Sequence, residues 1–410
     1  MNFIIIGAGI AGLTAAETLR KENPDAEIVL FSEEKQSPYY RPRLPEVVSG
    51  KVPADKIYVH PDEWFIDKKL EFRKGEKAVE ICQDNNQIRG SLGSRLTYDK
   101  ILLATGASAF LPEAVQNCSL GGIYPVRTLP DAWSINFAAR NARRATLLGS
   151  GLLGLEIGYA LTRLNVEVHV LERSTRILPN QTTSKSSAKL RAILEREGFI
   201  FHLDSEALKV EGEKNLERVI LRSGEAINCD FMVVSAGIVP NLELAKSLKV
   251  KTDRAIVVDQ YLETTIPNIY AAGDCAQTPD GRGGLWAIAR QEGLVAGFNL
   301  AQTDPSKRKS YEPILPSSTL KVAGVELITS GNIDPADKLP MAEFETGASY
   351  RKIVTSQIGL LIGFTNLGTT KGNREMSMAL GKKIISPEIL KSFGNDDFNF
   401  DLLASLPDKS

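Results

Sequence analysis

The chain opens on an apolar run, Phe3 to Ile6, that stops at Gly7. Beyond a glycine-rich turn, Leu13, Ala15, Ala16 and Leu19 recur at helical spacing, and a second apolar run covers Glu27 to Phe31. Strand, glycine turn, helix, strand is the opening of a βαβ unit, which closes a parallel sheet. The same phrase returns with a strand at Ala145 to Leu148, a turn at Gly149 to Gly154, a helix at Leu155 to Leu164 and a strand at Glu167 to Leu171. Each unit is followed by an apolar strand that ends in small residues. One is Lys100 to Leu103 with Ala104, Thr105 and Gly106, and the other runs from Asp230 to Gly237. A further strand, Ile269 to Asp274, ends in Gly273 and Asp274. Beyond about Tyr311 the runs become short and β-like, as at Thr319 to Val322 and Glu326 to Thr329. From about Pro387, Phe393, Phe398, Phe400 and Leu402 stand among Asp and Asn, a pattern that suits a docked helix and a mobile tail equally.

These elements predict an α/β protein with two Rossmann-type three-layer domains and a small C-terminal α+β domain. The expected boundaries are 1-112 with 241-310 for the first, discontinuous domain, 113-240 for the second and 311-410 for the third. The length of 410 residues agrees, because a single core stops growing at roughly 250–300 residues. Lys plus Arg number 49 against 50 for Asp plus Glu, so no overall positive field exists to attract nucleic acid or an anionic membrane. No apolar run approaches the roughly 20 residues of a membrane span. The start enters a strand at once, without the basic and apolar regions of a signal peptide, which predicts a cytoplasmic protein. Cys82, Cys118, Cys229 and Cys275 are scattered, so no CxxC pair or metal ligand set can be written. His60, His169 and His202 are also far apart, with His169 read as a packed strand residue, and no metal is assigned.

The chemistry lies in the turns. Gly7, Gly9 and Gly12 form GxGxxG between strand and helix, with Glu33 about twenty residues on. The first glycine permits the turn, the second lets the backbone approach a pyrophosphate, and the third lets helix pack on strand. Ile10 and Ala11 begin the helix, whose free amides and dipole favour the phosphate. Glu33 is placed to accept from an adenosine ribose. Gly149, Gly151 and Gly154 repeat the motif with Leu152 and Leu153 inside it, and Glu172 follows the second strand. An acid there bonds the 2′-hydroxyl of NADH and repels the 2′-phosphate of NADPH, so NADH is expected despite nearby Arg173 and Arg176. Two dinucleotide sites on one chain imply hydride transfer from nicotinamide to a second cofactor, and FAD meets that need. Gly273 and Asp274 suit the ribitol and phosphates of FAD.

The series Gly7-Ala8-Gly9-Ile10-Ala11-Gly12, Ala104-Thr105-Gly106, Gly149-Ser150-Gly151-Leu152-Leu153-Gly154 and Ala271-Ala272-Gly273-Asp274 resembles the pyridine nucleotide-disulfide oxidoreductase superfamily over about the first 310 residues. The resemblance implies that the first motif and Gly273-Asp274 hold FAD, with Ala78, Ala104, Thr105 and Gly106 counted in the same site. It implies that the middle motif holds NAD(P)H, with Gly237 at the end of its closing strand. Members that act on disulfides or oxygen carry a cysteine near the second strand, where this chain has Ser37-Pro38-Tyr39-Tyr40-Arg41-Pro42-Arg43-Leu44-Pro45-Glu46. That segment is similar instead to NADH:rubredoxin oxidoreductases and the FAD portion of nitrite reductases, which assigns Arg41, with Arg43, to FAD. Gly284-Leu285-Trp286, Gln291-Glu292-Gly293 and Thr319-Leu320-Lys321-Val322 point the same way. Trp286 is expected near the flavin or as a core indole. Glu156 is expected to face the nicotinamide pocket or to be an acid favoured by a helix N-terminus, and Glu46 stands where related ferredoxin reductases have a lysine.

The expected function is hydride transfer from NADH to FAD, then single electrons to a small redox protein, rubredoxin or ferredoxin. Arg41, Arg43, Lys51 and Arg282 are candidates to meet an acidic partner. An NADH oxidase or peroxide-type reductase, a nitrite-reductase-like component and a slow FAD/NADH-binding redox sensor are the alternatives. A homodimer is left open.

Overall fold

The computed structural model describes residues 1–281, 283–335, 338–347 and 349–408. They fall into two compact units, one made of Met1–Leu44, Val52–Ala109 and Ile238–Ile314, the other of Pro45–Lys51, Phe110–Gly237 and the chain from Leu315 onward.

In the first unit five parallel strands lie in the order Ile269–Ala271, Lys100–Leu103, Asn2–Ile6, Glu27–Ser32, Glu71–Lys74. Phe3, Ile4, Ile5, Leu102 and Leu103 are buried, as unbroken apolar runs of a sheet covered on both faces should be. The helix Ile10–Glu22 packs against the helix Trp286–Ala301 through small residues. A carbon added at Gly293 would lie 2.3 Å from the Ala11 carbonyl oxygen, and one at Gly297 2.5 Å from that of Ala15. The unit also holds a three-stranded antiparallel sheet, Ala78–Cys82, Gln87–Gly90 and Arg95–Thr97, and the strand pairs Ala107–Ala109 with Ile238–Pro240 and Ile256–Val257 with Ala276–Gln277.

The second unit repeats the plan. Its parallel order is Phe199–His202, Glu167–Leu171, Arg144–Leu148, Phe231–Val234, Ile123–Pro125, with the helix Leu152–Thr162 after the central strand. The helix starts three residues earlier than its apolar pattern suggests, because Gly151 serves as N-cap. The fifth strand here comes from before the central one in sequence, whereas in the first unit it comes last.

The C-terminal part of this unit is an antiparallel sheet in the order Ser317–Val322, Val325–Gly331, Leu361–Leu367, Tyr350–Thr355, Met341–Glu345. The tail is docked on it. Phe393, Phe398 and Phe400 pack edge-on at 5.1–6.1 Å and join Ile353, Phe364, Met376 and Leu403 in one core. Arg351 lies over the Phe344, Phe393 and Phe400 rings and donates to the Phe393 and Asn395 carbonyls, so the tail's loop has a buried cation as its anchor. Among the described residues no helix is long and apolar enough to cross a membrane.

The close helix pair of the first unit predicts that Gly293→Val destabilises the protein by about 1–3 kcal/mol through overpacking. Urea unfolding followed by circular dichroism checks this, and an unchanged midpoint would show that the helices separate freely.

Candidate functional site

In the first unit Gly7 adopts φ 110°, and a carbon on it would stand 2.1 Å from the Ala104 carbonyl oxygen. A carbon on Gly12 would stand 1.9 Å from the Gly7 carbonyl oxygen. Strand, turn and helix therefore touch backbone to backbone. At Gly9, by contrast, an added carbon meets nothing within 4 Å. Gly9 is also the N-cap of Ile10–Glu22, with no side-chain cap and no acidic residue in the first turn. Its first amides are thus left for an anion, the condition a pyrophosphate needs. Ala104-Thr105-Gly106 is pinned beside this turn, since Thr105 Oγ1 donates to the Asn241 carbonyl and Asn241 Nδ2 to that of Thr105, both at 2.9 Å.

The second unit shows the same construction. Gly149 has φ 103°, with the Ser235 carbonyl oxygen 2.5 Å from an added carbon. Gly151 faces open space and caps Leu152–Thr162 without a side-chain bond or a first-turn acid. Gly237, at the end of the strand Phe231–Val234, also faces open space. Other long helices of this unit do not share the trait, for Thr128 and Thr183 close capping boxes on theirs. Glu172 lies beside the turn with both oxygens engaged. Oε2 accepts from the Ser150 amide at 3.0 Å and hydroxyl at 2.6 Å, and Oε1 from the Ser174 amide at 2.7 Å. Oε2 thus has both lone pairs in use, and Oε1 keeps one for a further donor.

The remaining expected residues are placed as follows. By strand register Phe31 matches Leu171, so Ser32 stands where Glu172 stands and Glu33 is one residue beyond, exposed and paired with Lys77 at 3.3 Å. Lys77 precedes buried Ala78, the first residue of its strand. Arg41 lies between two acids of its own unit. Its Nη2 donates to Glu34 Oε1 at 2.5 Å, Tyr39 OH donates to the other Glu34 oxygen, and Asp274 adds its charge. Burial works against the guanidinium, but Glu34, Tyr39 and Asp274 outweigh it and raise its pKa. Arg43 donates to the Lys56 carbonyl at 2.8 Å. Trp286 is half-buried at the start of its helix and stacks on Tyr40, centroids 5.6 Å apart, so it is not a core indole.

Glu156 sits past the first turn of Leu152–Thr162, which removes the reading as an N-terminal acid. Burial, opposed by the Lys321 backbone amide and aided by the Glu46 charge, lifts its pKa to about 7. Glu46 and Glu156 thus form a pair of like charges where a lysine would have made an ion pair.

Several contacts were not legible beforehand. Glu34, adjacent to the expected Glu33, is the acid that holds Arg41. Glu292 is buried and accepts the Gly273 amide at 2.6 Å. The histidines are not all apart, since adjacent strands bring His169 Nδ1 within 3.0 Å of His202 Nε2. Burial and His169 together push the His202 pKa down. Among the described residues no group of three or more His, Cys, Asp or Glu could hold a metal ion. Burial also pushes up the Cys229 and Cys275 thiols.

The profile of the family described as pyridine nucleotide-disulphide oxidoreductase matches residues 1–293. The chain is 29% identical over 399 residues to the assimilatory nitrate reductase electron transfer subunit of Bacillus subtilis, covering 94% of this chain and 51% of that protein. It therefore spans about half the length of that relative. It is 28% identical over 377 residues to the NADH-rubredoxin oxidoreductase of Clostridium acetobutylicum, covering 90% and 92% of the two chains. The fold is that of a ferredoxin reductase from Rhodopseudomonas palustris, at a TM-score of 0.88, 24% identity and coverage of 98% and 100%.

The folded chain raises the Glu156 pKa, so it favours the protonated acid. The stability this lends is present below the unfolded carboxylate range and is lost as pH rises through about 7. Glu156→Gln should leave the melting temperature unchanged at low pH and raise it above neutrality, as differential scanning fluorimetry across pH would show. Equal shifts at every pH would refute it.

Proposed function

The chain belongs to the pyridine nucleotide-disulphide oxidoreductase family, and on that footing we propose that it carries electrons from NADH by way of FAD to a small one-electron redox protein, with rubredoxin the favoured acceptor. It is an NAD(P)H-dependent oxidoreductase whose cofactors are FAD and NADH. FAD held by the chain would supply a hydride acceptor for NADH and a donor of single electrons.

The observation that carries the reading is the pair of uncapped glycine-turn helices, one in each unit. The first-turn amides of Ile10–Glu22 hold the pyrophosphate of FAD, Glu33 takes its adenosine ribose, and Gly273 and Asp274 take its ribitol side. The first-turn amides of Leu152–Thr162 hold the phosphates of NADH. Glu172 accepts from the ribose 2′-hydroxyl, and a 2′-phosphate there would meet its oxygens, so NADPH is disfavoured. No side-chain acid or base is needed for the hydride step, so the residues contribute orientation and electrostatics.

Thiol relay chemistry is disfavoured on the residues present. Tyr39-Tyr40-Arg41 occupies the place of a reactive cysteine, and Cys229 and Cys275 are buried with raised pKa values, the opposite of an activated thiolate. Similarity to an electron transfer subunit of about twice the length favours a second reading, in which the acceptor is a further domain or subunit of a nitrogen-oxide reductase system.

Docking of an acidic iron protein needs local positive charge on a chain of net charge −1. Arg41 is held by Glu34, and Arg282 lies outside the described residues. Arg43 and Lys51 remain the candidates, one in each unit.

Two outcomes test the proposal. Glu172→Ala should cut the preference of kcat/KM for NADH over NADPH by about tenfold or more, the worth of a charged hydrogen bond. Because Glu172 also holds the Ser150 amide, KM for NADH should rise in the same variant. Equal efficiency of the unaltered protein with both nucleotides would refute the role of Glu172. NADH-dependent reduction should be fast with rubredoxin and fall steeply as salt rises. Comparable slow rates with rubredoxin and ferredoxin and no salt dependence would remove the rubredoxin assignment.

A further inference from the structure

Glu292 is a buried acid that the nucleotide contacts above do not use. It lies on Trp286–Ala301 with 1% of its surface exposed. Its Oε2 accepts the Gly273 amide at 2.6 Å, while its buried Oε1 meets no hydrogen-bond partner among the described residues. Three segments converge on it. Its neighbour Gly293 presses on the Ala11 carbonyl, and a carbon on Gly273 would stand 2.9 Å from the Ala11 methyl. Glu292 therefore sits where its helix, the strand end at Gly273 and the first turn of Ile10–Glu22 meet, and the last two are the segments assigned to FAD. The charges that bear on it are the carboxylates of Asp274, after the strand, and Asp280, in the loop beyond. The first turn of Ile10–Glu22 brings no acid.

An ionised carboxylate at this point would stand beside a diphosphate and two other acids with one of its oxygens unbonded, which is costly in a dry site. A neutral carboxylic acid has no such conflict, since one oxygen accepts and the O–H of the other donates. We propose that Glu292 is a positioning residue of the FAD site that works as an uncharged acid, fixing the Gly273 amide with one oxygen and donating its O–H to the phosphate side of FAD. This rests on the FAD reading given above.

Burial lifts the Glu292 pKa to about 8, against the pull of the Gly273 amide and with the aid of Asp274 and Asp280. A nearby diphosphate raises it further, so FAD binds the protonated form best. Affinity is then full at neutral pH and falls as pH rises above about 8, by up to about tenfold per pH unit.

The test is a titration of the deflavinated full chain with FAD, read by flavin fluorescence, from about pH 6.5 to about 9.5. The unaltered protein should bind about equally up to pH 8 and about tenfold or more weakly at the alkaline end. Glu292→Gln keeps an acceptor and a donor but has no proton to lose, so its affinity should show no alkaline loss relative to its own value at neutral pH. Infrared spectra at neutral pH should show a protonated carboxyl band in the unaltered protein that this variant lacks. An alkaline loss of the same size in Glu292→Gln, flat affinity in the unaltered protein, or absence of the carboxyl band would each overturn the proposal. Failure to bind FAD at any pH would overturn the FAD reading itself.

Discussion

In both units the start of a helix lies against the backbone of the glycine turn before it, and the phosphate sites proposed above follow from that approach. A carbon on Gly12 would fall 1.9 Å from the Gly7 carbonyl oxygen, and one on Gly154 2.9 Å from that of Gly149. The helix can therefore start directly above the sheet, with its first amides aimed past the strand end. Those amides stay available because the caps are glycines and the first turns hold no acid. Thr128 and Thr183 show what the chain does elsewhere, where a side chain closes the helix start. The same demand for closeness extends to Gly293 and Gly297, which bring a second helix onto Ala11 and Ala15 and set Glu292 beside the Gly273 amide.

Much of this was legible in the sequence because it is local. A glycine motif, the helix after it and the strand after that are contiguous, and their order alone implies a parallel sheet. Element boundaries moved by one to three residues, most clearly where Gly151 as N-cap starts a helix at Leu152. The small C-terminal sheet was visible as short β-like runs, whereas the pattern of the tail suited a docked helix and a mobile segment equally. Phe393, Phe398 and Phe400 look alike whether they pack on Phe364 and Met376 or on nothing, and only the three-dimensional core decides.

Side-chain partners across distant segments were the part that could not be read. His169 and His202 are 33 residues apart and meet because two parallel strands run side by side. Arg41 bonds Glu34, seven residues before it, a contact its expected place at a cofactor or a partner protein did not reveal. Glu33 satisfied the spacing expected of a ribose acceptor, yet the register sets Ser32 opposite the place of Glu172.

The acids of the candidate sites show how one residue type is given different tasks by its surroundings. Glu172 has three donors from Ser150 and Ser174 on its two oxygens and is held in a single orientation. Glu156 has one backbone donor, partial burial and the Glu46 charge nearby, and its proton is lost only near neutrality. Glu292 has one donor, full burial and two acids nearby, and it holds its proton longer still. The difference between Glu156 and Glu292 follows from the greater loss of water and the second like charge at Glu292. A carboxyl beside a phosphate cradle is thus compatible with an anionic cofactor in two ways. It can be held by donors that leave one oxygen able to meet a hydroxyl, as we propose for Glu172, or be kept neutral in a dry site, as we propose for Glu292.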